Sequence, residues 1–232
     1  MTLDRLSLMD ELLLGIQGSL LNVVSPQLRA VTVDVDPKKP ELSVVFFCDG
    51  AITDELFNIA SIAATEIDIF SSDYTIVGDT AVRLDFPKEI PLRGRLAFLR
   101  KEANLPQIKK EPRAFLIPKG IRVLDIYLLE VQQALLGKVK PSLRKVLVKI
   151  DEDQKKLGIY FYYNGEISEE DFCLANAAIQ EAKASFPAYR MEAQILRLDF
   201  PNPIPLEECT AAYWRQEIRY TQDGHPEFVV TP

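Results

Sequence analysis

The chain has a single histidine, His225, and only three cysteines, Cys48, Cys173 and Cys209, in 232 residues. One imidazole cannot build a histidine-rich metal centre, and it leaves histidine-based acid–base catalysis with a lone candidate. The cysteines are odd in number and without paired spacing, which argues against a disulfide framework and a structural zinc site. Reduced thiols in a cytoplasm are the compartment this usage implies. No apolar run approaches the roughly 20 residues needed to cross a bilayer. Leu12-Leu13-Leu14 is preceded by Asp10 and Glu11, which interrupt the apolar core of a signal peptide. An excess of positive charge is also missing. The 27 Lys and Arg face 34 Asp and Glu, a net charge of −7. Non-specific nucleic-acid binding needs cations to neutralise phosphates and is disfavoured, whereas a basic protein partner suits this balance. No Ca²⁺-loop pattern and no catalytic or cofactor motif is recognisable, so no metal, cofactor or catalytic residue is assigned.

What is present is a repeat. Arg83-Leu84-Asp85-Phe86-Pro87 returns as Arg197-Leu198-Asp199-Phe200-Pro201, and Ile90-Pro91-Leu92 as Ile204-Pro205-Leu206. Pro26 and Pro141, Arg29 and Arg144, Gly50 and Gly165, Phe57 and Phe172 all lie 115 positions apart. Between Tyr74 and Arg83 the offset drops by one, so the first copy holds one extra residue, and Gly78 marks the place for a β-bulge. The chain therefore divides into residues 1–118 and 119–232, each a unit with its own tail.

Both units read alike. A leucine-rich amphipathic helix spans about 4–21 or 121–137 and stops before Pro26 or Pro141. A strand follows with Val31, Val33 and Val35, or Val146, Val148 and Ile150, facing a core. Ala30, Thr32 and Asp34, or Lys145, Leu147 and Lys149, then face outward. A turn leads to a second strand, 41–48 or 156–163, in an antiparallel hairpin. Thr53 and Ser168 cap a second helix whose first turn carries carboxylates. In the first copy that helix is apolar beyond one stripe, which predicts cover on two sides, with the other unit as the second. A third strand reaches the Arg-Leu-Asp-Phe-Pro signal, and a fourth occupies 93–102 or 208–217. The order αββαββ predicts an α+β fold: two units related by a pseudo-two-fold, each a mainly antiparallel sheet with two helices on one face.

Several residues are candidates for function. Val45 and Phe47, with their counterparts Tyr160 and Tyr162, alternate with core positions and so face the second side of the sheet. There, flanked by Lys145, Lys149 and Arg190, they form a candidate recognition surface. The other reading covers them with the second unit or the tail. Asp49, Asp54 and Glu55, and Glu169 and Glu170, gather at the helix starts, where they complement the helix dipole or receive a basic partner. Arg83/Asp85 and Arg197/Asp199 share a strand face and read as ion pairs whose carboxylates accept backbone N–H groups. His225 with Cys173 or Cys209 would need a third orienting group to act as a nucleophile–base pair, and none can be named.

The duplicated Arg-Leu-Asp-Phe-Pro and Ile-Pro-Leu signals, the acid-capped helix before them and Arg100-Lys101-Glu102 resemble small bacterial immunity proteins of contact-dependent inhibition and related toxin systems. The likeness covers both halves. It is nearer in the first copy from Arg93-Gly94-Arg95 to Glu102, since the second has Glu207-Glu208-Cys209 there. The resemblance implies the αββαββ unit, neutralisation of a toxin protein without catalysis, and no catalytic residues. The expected protein is thus a cytoplasmic binder of a protein partner such as a basic toxin domain, a monomer or weak homodimer, touching neither nucleic acid nor membrane. Two alternatives remain open at this level: a structural or dimerisation module, and an enzyme with carboxylates in a groove between the units.

Overall fold

The computed structural model describes residues 8–36, 38–70, 74–77, 81–91, 93–102, 122–205, 208–220 and 226–228. Gly78, Leu92, Leu206, His225 and the 118/119 boundary lie outside the described residues. Unit one consists of α1 (Leu8–Ser19), β1 (Leu28–Val35), β2 (Glu41–Cys48), α2 (Asp54–Phe70), β3 (Thr75–Ile76), β4 (Ala81–Arg83) and β5 (Arg95–Leu99). Unit two consists of α3 (Val123–Leu135), β6 (Leu143–Asp151), β7 (Lys156–Tyr163), α4 (Glu169–Ala184), β8 (Arg190–Arg197) and β9 (Thr210–Trp214). A two-stranded ribbon, β10 (Ile218–Tyr220) with β11 (Pro226–Phe228), follows it. The fold is α+β, built twice, as the repeat demands.

Each hairpin forms where the alternation puts it. β1 pairs antiparallel with β2, and β6 with β7. The last strand joins the hairpin's other edge, β5 on β1 and β9 on β6, again antiparallel. The third strand is different. A helix intervenes between it and the second strand, so the chain crosses back and the pairing is parallel. β8 lies parallel to β7 without a break from Lys156–Arg190 to Tyr163–Arg197. In unit one Leu42 pairs with Ile76, but Phe46 pairs with Ala81. The register thus moves by one residue between β3 and β4, which is where the first copy's extra residue is absorbed.

The helix starts follow the predicted caps. The Leu56 N–H donates to Thr53 Oγ1 at 3.2 Å. Ser168 and Asp171 exchange bonds as a capping box at the head of α4, which satisfies donors that a helix start otherwise leaves orphaned. Helices and sheets share one core. Leu13, Ile16, Val31, Val33, Val44, Phe46 and Ala60 of unit one belong to the same buried cluster as Leu129, Val146, Val148, Ile159, Phe161 and Ala178 of unit two.

The units meet reciprocally. α1 packs on α3 and on β9, while α3 packs on β5. The connector after α1 lies along β9: the Asn22 N–H donates to Trp214 O at 2.9 Å and the Gln216 N–H to Val24 O at 3.0 Å. The connector after α3 lies along β5 in the same way, with Gly137 N–H to Leu99 O and Lys101 N–H to Val139 O, both 2.8 Å. Residue for residue, these are the same contacts with the units exchanged, the signature of a two-fold interface. Both connectors leave their helix through a left-handed residue, Asn22 at φ 63° and Gly137 at φ 70°, the conformation those two residue types reach most easily.

Each unit is closed by a buried arginine. Arg29, 1% exposed, donates from Nε and Nη2 to the Glu102 carboxylate, both at 2.6 Å. Its Nη1 reaches Leu84 O at 2.6 Å and its Nη2 reaches Lys88 O at 2.9 Å. Arg144 repeats the arrangement with Glu217, Leu198 O and Asn202 O. One guanidinium therefore ties the first strand, the segment just after the last strand, and the Arg-Leu-Asp-Phe-Pro signal with the loop that follows it. That loop begins at a cis Phe–Pro peptide in both copies. Its Asp is fixed as well. Asp85 accepts the Gly50 N–H at 2.7 Å and Asp199 the Gly165 N–H at 2.6 Å, and each pairs with the arginine two residues earlier. The Arg83 guanidinium and the Gly50 N–H hold the Asp85 carboxyl below the usual range, and Arg197 and Gly165 do so for Asp199. The repeated motif is a structural latch.

The latch predicts a measurable asymmetry. Arg144→Met leaves Glu217 buried without its cation and costs about 3–5 kcal/mol of unfolding free energy. Arg144→Met with Glu217→Leu removes both charges and loses distinctly less. Urea unfolding of the three proteins decides it, and equal losses in single and double variants contradict the latch.

Candidate functional site

The second face of each sheet is not open. The alternation is right: Val44, Phe46, Ile159 and Phe161 enter the main core, and Val45, Phe47, Tyr160 and Tyr162 point the other way. The latch loop, however, folds back over them. Ile90 buries against Phe47, Ala30 and Leu99, joined by Leu136 from unit two, and Ile204 buries against Tyr162 and Leu147. Phe47 and Tyr162 are each only 7% exposed, and Val45 and Tyr160 are half-buried. These four residues pack small secondary cores, which corrects the expectation of a recognition surface. Ala30, Thr32, Lys145 and Leu147, expected to face outward, are likewise buried.

Lys145 shows how far this burial goes. It is 1% exposed, and its Nζ stands 3.0 Å from the centre of the Trp214 ring. Burial pushes its ammonium down to about 8, against a smaller opposing pull from Glu217. Its counterpart in unit one is Ala30.

The acidic residues at the helix starts separate into two groups. Asp49 is committed internally. Its Oδ1 accepts the Phe86 N–H at 2.6 Å and its Oδ2 the Arg100 Nη2 at 2.5 Å. Burial works against the Asp49 carboxylate, but Arg100 and the Phe86 N–H outweigh it and hold the carboxyl below the usual range. Asn164 takes its place in unit two and accepts the Phe200 N–H at 2.8 Å. Asp54 is exposed at the start of α2, with Glu55 in the same turn. Glu169 and Glu170 are exposed at the start of α4, where Glu170 also pairs with Lys140 at 2.9 Å. Asp171 behind them is buried in the capping box.

Beside these carboxylates stand two residues that composition did not single out. Phe57 is 52% exposed and Phe172 is 54% exposed, at equivalent positions one turn into α2 and α4. Ile62, 60% exposed, extends the apolar surface of α2. The expectation that the other unit covers this side of α2 is therefore overturned. The signal was in the sequence: Glu-x-Phe recurs at Glu55-x-Phe57 and Glu170-x-Phe172, whereas the other identities at this end of the helices, Ala60/Ala175 and Ala63/Ala178, are buried.

The remaining candidates do not converge. Cys173 is exposed on α4 and Cys209 is half-buried beside β9. Among the described residues no three His, Cys, Asp or Glu side chains group as metal ligands. No helix among them is long and apolar enough to cross a membrane. Two cavities between the units are lined by residues such as Gln17, Leu20, Phe98, Gln132, Val139 and Tyr213, with no carboxylate in either lining. The carboxylate groove that an enzyme reading required is therefore not formed there.

A duplicated α+β unit whose carboxylates and exposed phenylalanines are presented at two homologous helix starts defines a pseudo-dimeric protein with two matching faces. The chain belongs to the MafI2 immunity protein family, whose model matches residues 9–102 and again residues 125–217. No curated protein matches it.

Lys145 yields a pH test. Its folded value lies below that of an unfolded lysine, near 10.4, so between about pH 8 and 10 the folded chain binds fewer protons and this group's contribution to stability rises with pH. Lys145→Met removes the buried charge and is expected to gain about 1–3 kcal/mol at pH 7. That gain shrinks from pH 8 to 10. Denaturant unfolding across the range checks both signs, and a gain that stays constant with pH contradicts the assignment.

Proposed function

We propose that the chain is a cytoplasmic, non-enzymatic immunity protein that neutralises a basic toxin domain by binding it through the starts of α2 and α4. Membership of an immunity family supports the class of function. The observation that carries the choice of surface is the pair Phe57 and Phe172. Two large apolar rings, more than half exposed, persist at the same position of copies that differ at most surface positions. Solvent exposure gives no folding reason to keep a phenylalanine, and aromatic residues are typical interface anchors. Asp54 and Glu55 precede Phe57 in the first turn of α2, as Glu169 and Glu170 precede Phe172 in α4, and acidic residues there steer a cationic partner and add specificity. The acidic net charge of the chain acts in the same direction. The binding-site expectation is thereby narrowed from nine residues to the helix starts: Asp49 serves the latch, and Val45, Phe47, Tyr160 and Tyr162 serve the secondary cores.

The test uses the product of the gene adjoining this one. Phe57→Ala and Phe172→Ala are expected to fold normally, since both rings are exposed. Each is expected to weaken binding by about 1–3 kcal/mol, or roughly 5- to 150-fold. The double variant is expected to lose protection in a growth assay. Full affinity and full protection in the double variant would remove this surface from the proposal.

A further inference from the structure

Unit one has a groove at a place that unit two bridges with charges. It lies beside the first turns of α2, walled by Ser25, Gln27, Thr53, Leu56 and Ile59 with Gln216 contributed from unit two, and its volume is about 370 Å³. That is within the range of pockets that enclose a bound group. In unit two the positions of Ser25, Gln27 and Leu56 are held by Lys140, Ser142 and Asp171. There Lys140 Nζ reaches Asp171 at 3.3 Å and Glu170 at 2.9 Å, and the Ser142 hydroxyl donates to Asp171 at 2.9 Å. Serine and leucine in place of lysine and aspartate dissolve that bridge in unit one. The Ser25 hydroxyl is left buried with no hydrogen-bond partner, and Ser25 is among the residues that line the groove. A buried hydroxyl without a partner is a cost that a bound polar group removes.

The lining is neutral and combines Ser25, Thr53, Gln27 and Gln216 with Leu56, Ile59 and Pro26. The helix that forms its wall begins with Asp54 and Glu55 and contains no lysine or arginine from Asp54 to Phe70. Phe57 stands exposed next to Leu56. This combination suits one kind of occupant. Resting on the toxin-binding reading above, we propose that the groove receives an apolar side chain of the basic toxin, presented between lysine or arginine residues. Its peptide groups meet Ser25, Gln27 and Gln216, and its flanking cations meet the acidic start of α2. The two units are then unequal: unit one holds the anchor pocket, and unit two offers only the exposed Phe172 and its carboxylates.

The experiment fills the groove in the full chain and measures binding of the purified product of the adjoining gene by calorimetry. Gln27→Trp changes an exposed side chain at a residue whose backbone carbonyl alone is used, by Asp49. Gln216→Trp fills the groove from the other unit. Lys101→Trp sets the same ring at the position equivalent to Gln216, on unit two's side. Both groove variants are expected to weaken binding by roughly tenfold or more, with circular dichroism and thermal midpoint unchanged, while Lys101→Trp binds like the unaltered chain. Unaltered affinity in Gln27→Trp and Gln216→Trp overturns the groove while leaving the toxin-binding reading in place, and so does an equal loss in all three variants. Absence of binding by the unaltered chain overturns the toxin-binding reading, and the groove's assignment with it.

Discussion

The buried arginine–glutamate pair is the constraint on which the architecture depends. Arg29 comes from the first strand of a unit and Glu102 from the segment just after its last strand, and the same guanidinium holds the carbonyls of Leu84 and Lys88 between them. A charge so deeply buried is tolerable only if every donor finds an acceptor. Satisfying it therefore dictates where the loop runs. The loop's course in turn decides that Ile90 and Ile204 cover the second sheet face, so a polar requirement at one point determines apolar packing across the sheet. The same pair, in the same place, appears in Arg144 and Glu217.

Around that constant frame the copies have drifted unevenly. Asp49 has become Asn164 with its acceptor role intact. Gly94 has φ 70°, and any side chain there would meet Val33 O at 2.1 Å. Glu208 holds the matching place in unit two at φ 56° and pairs with Lys149, where unit one has Asp34. Ala30 has become the buried Lys145, with the larger Trp214 in place of Leu99 to receive its ammonium. Each change comes with a compensating partner, as it must where packing is tight. The helix starts obey a different rule. There the exposed Phe is kept while the groove beside it is open in one unit and charge-bridged in the other.

Much of this was written in local pattern. The duplication, the hairpins at 41–48 and 156–163, the caps at Thr53 and Ser168 and the role of Asp85 and Asp199 followed from spacing and short-range chemistry. What could not be read were contacts between distant parts of the chain. Alternation established which face Phe47 and Tyr162 take, but not that Ile90 and Ile204 would lie upon it. Arg29 and Glu102 are 73 residues apart, and no periodicity connects them. The apolar breadth of α2 suggested a second neighbour, yet Phe57 and Ile62 are exposed, because a side chain's apolar character states a preference and not a contact. The most informative clue at the site was internal comparison: a residue kept twice without structural cause.

The reciprocal connectors have a further consequence. Asn22–Val24 completes the hydrogen bonding of β9, and Gly137–Val139 completes that of β5. In two separate polypeptides such an exchange would come apart on dilution. Here one covalent strand joins both participants, so each sees the other at an effective concentration set by the tether and not by how much protein a cell makes. The tethered pair thus keeps its shape at any abundance.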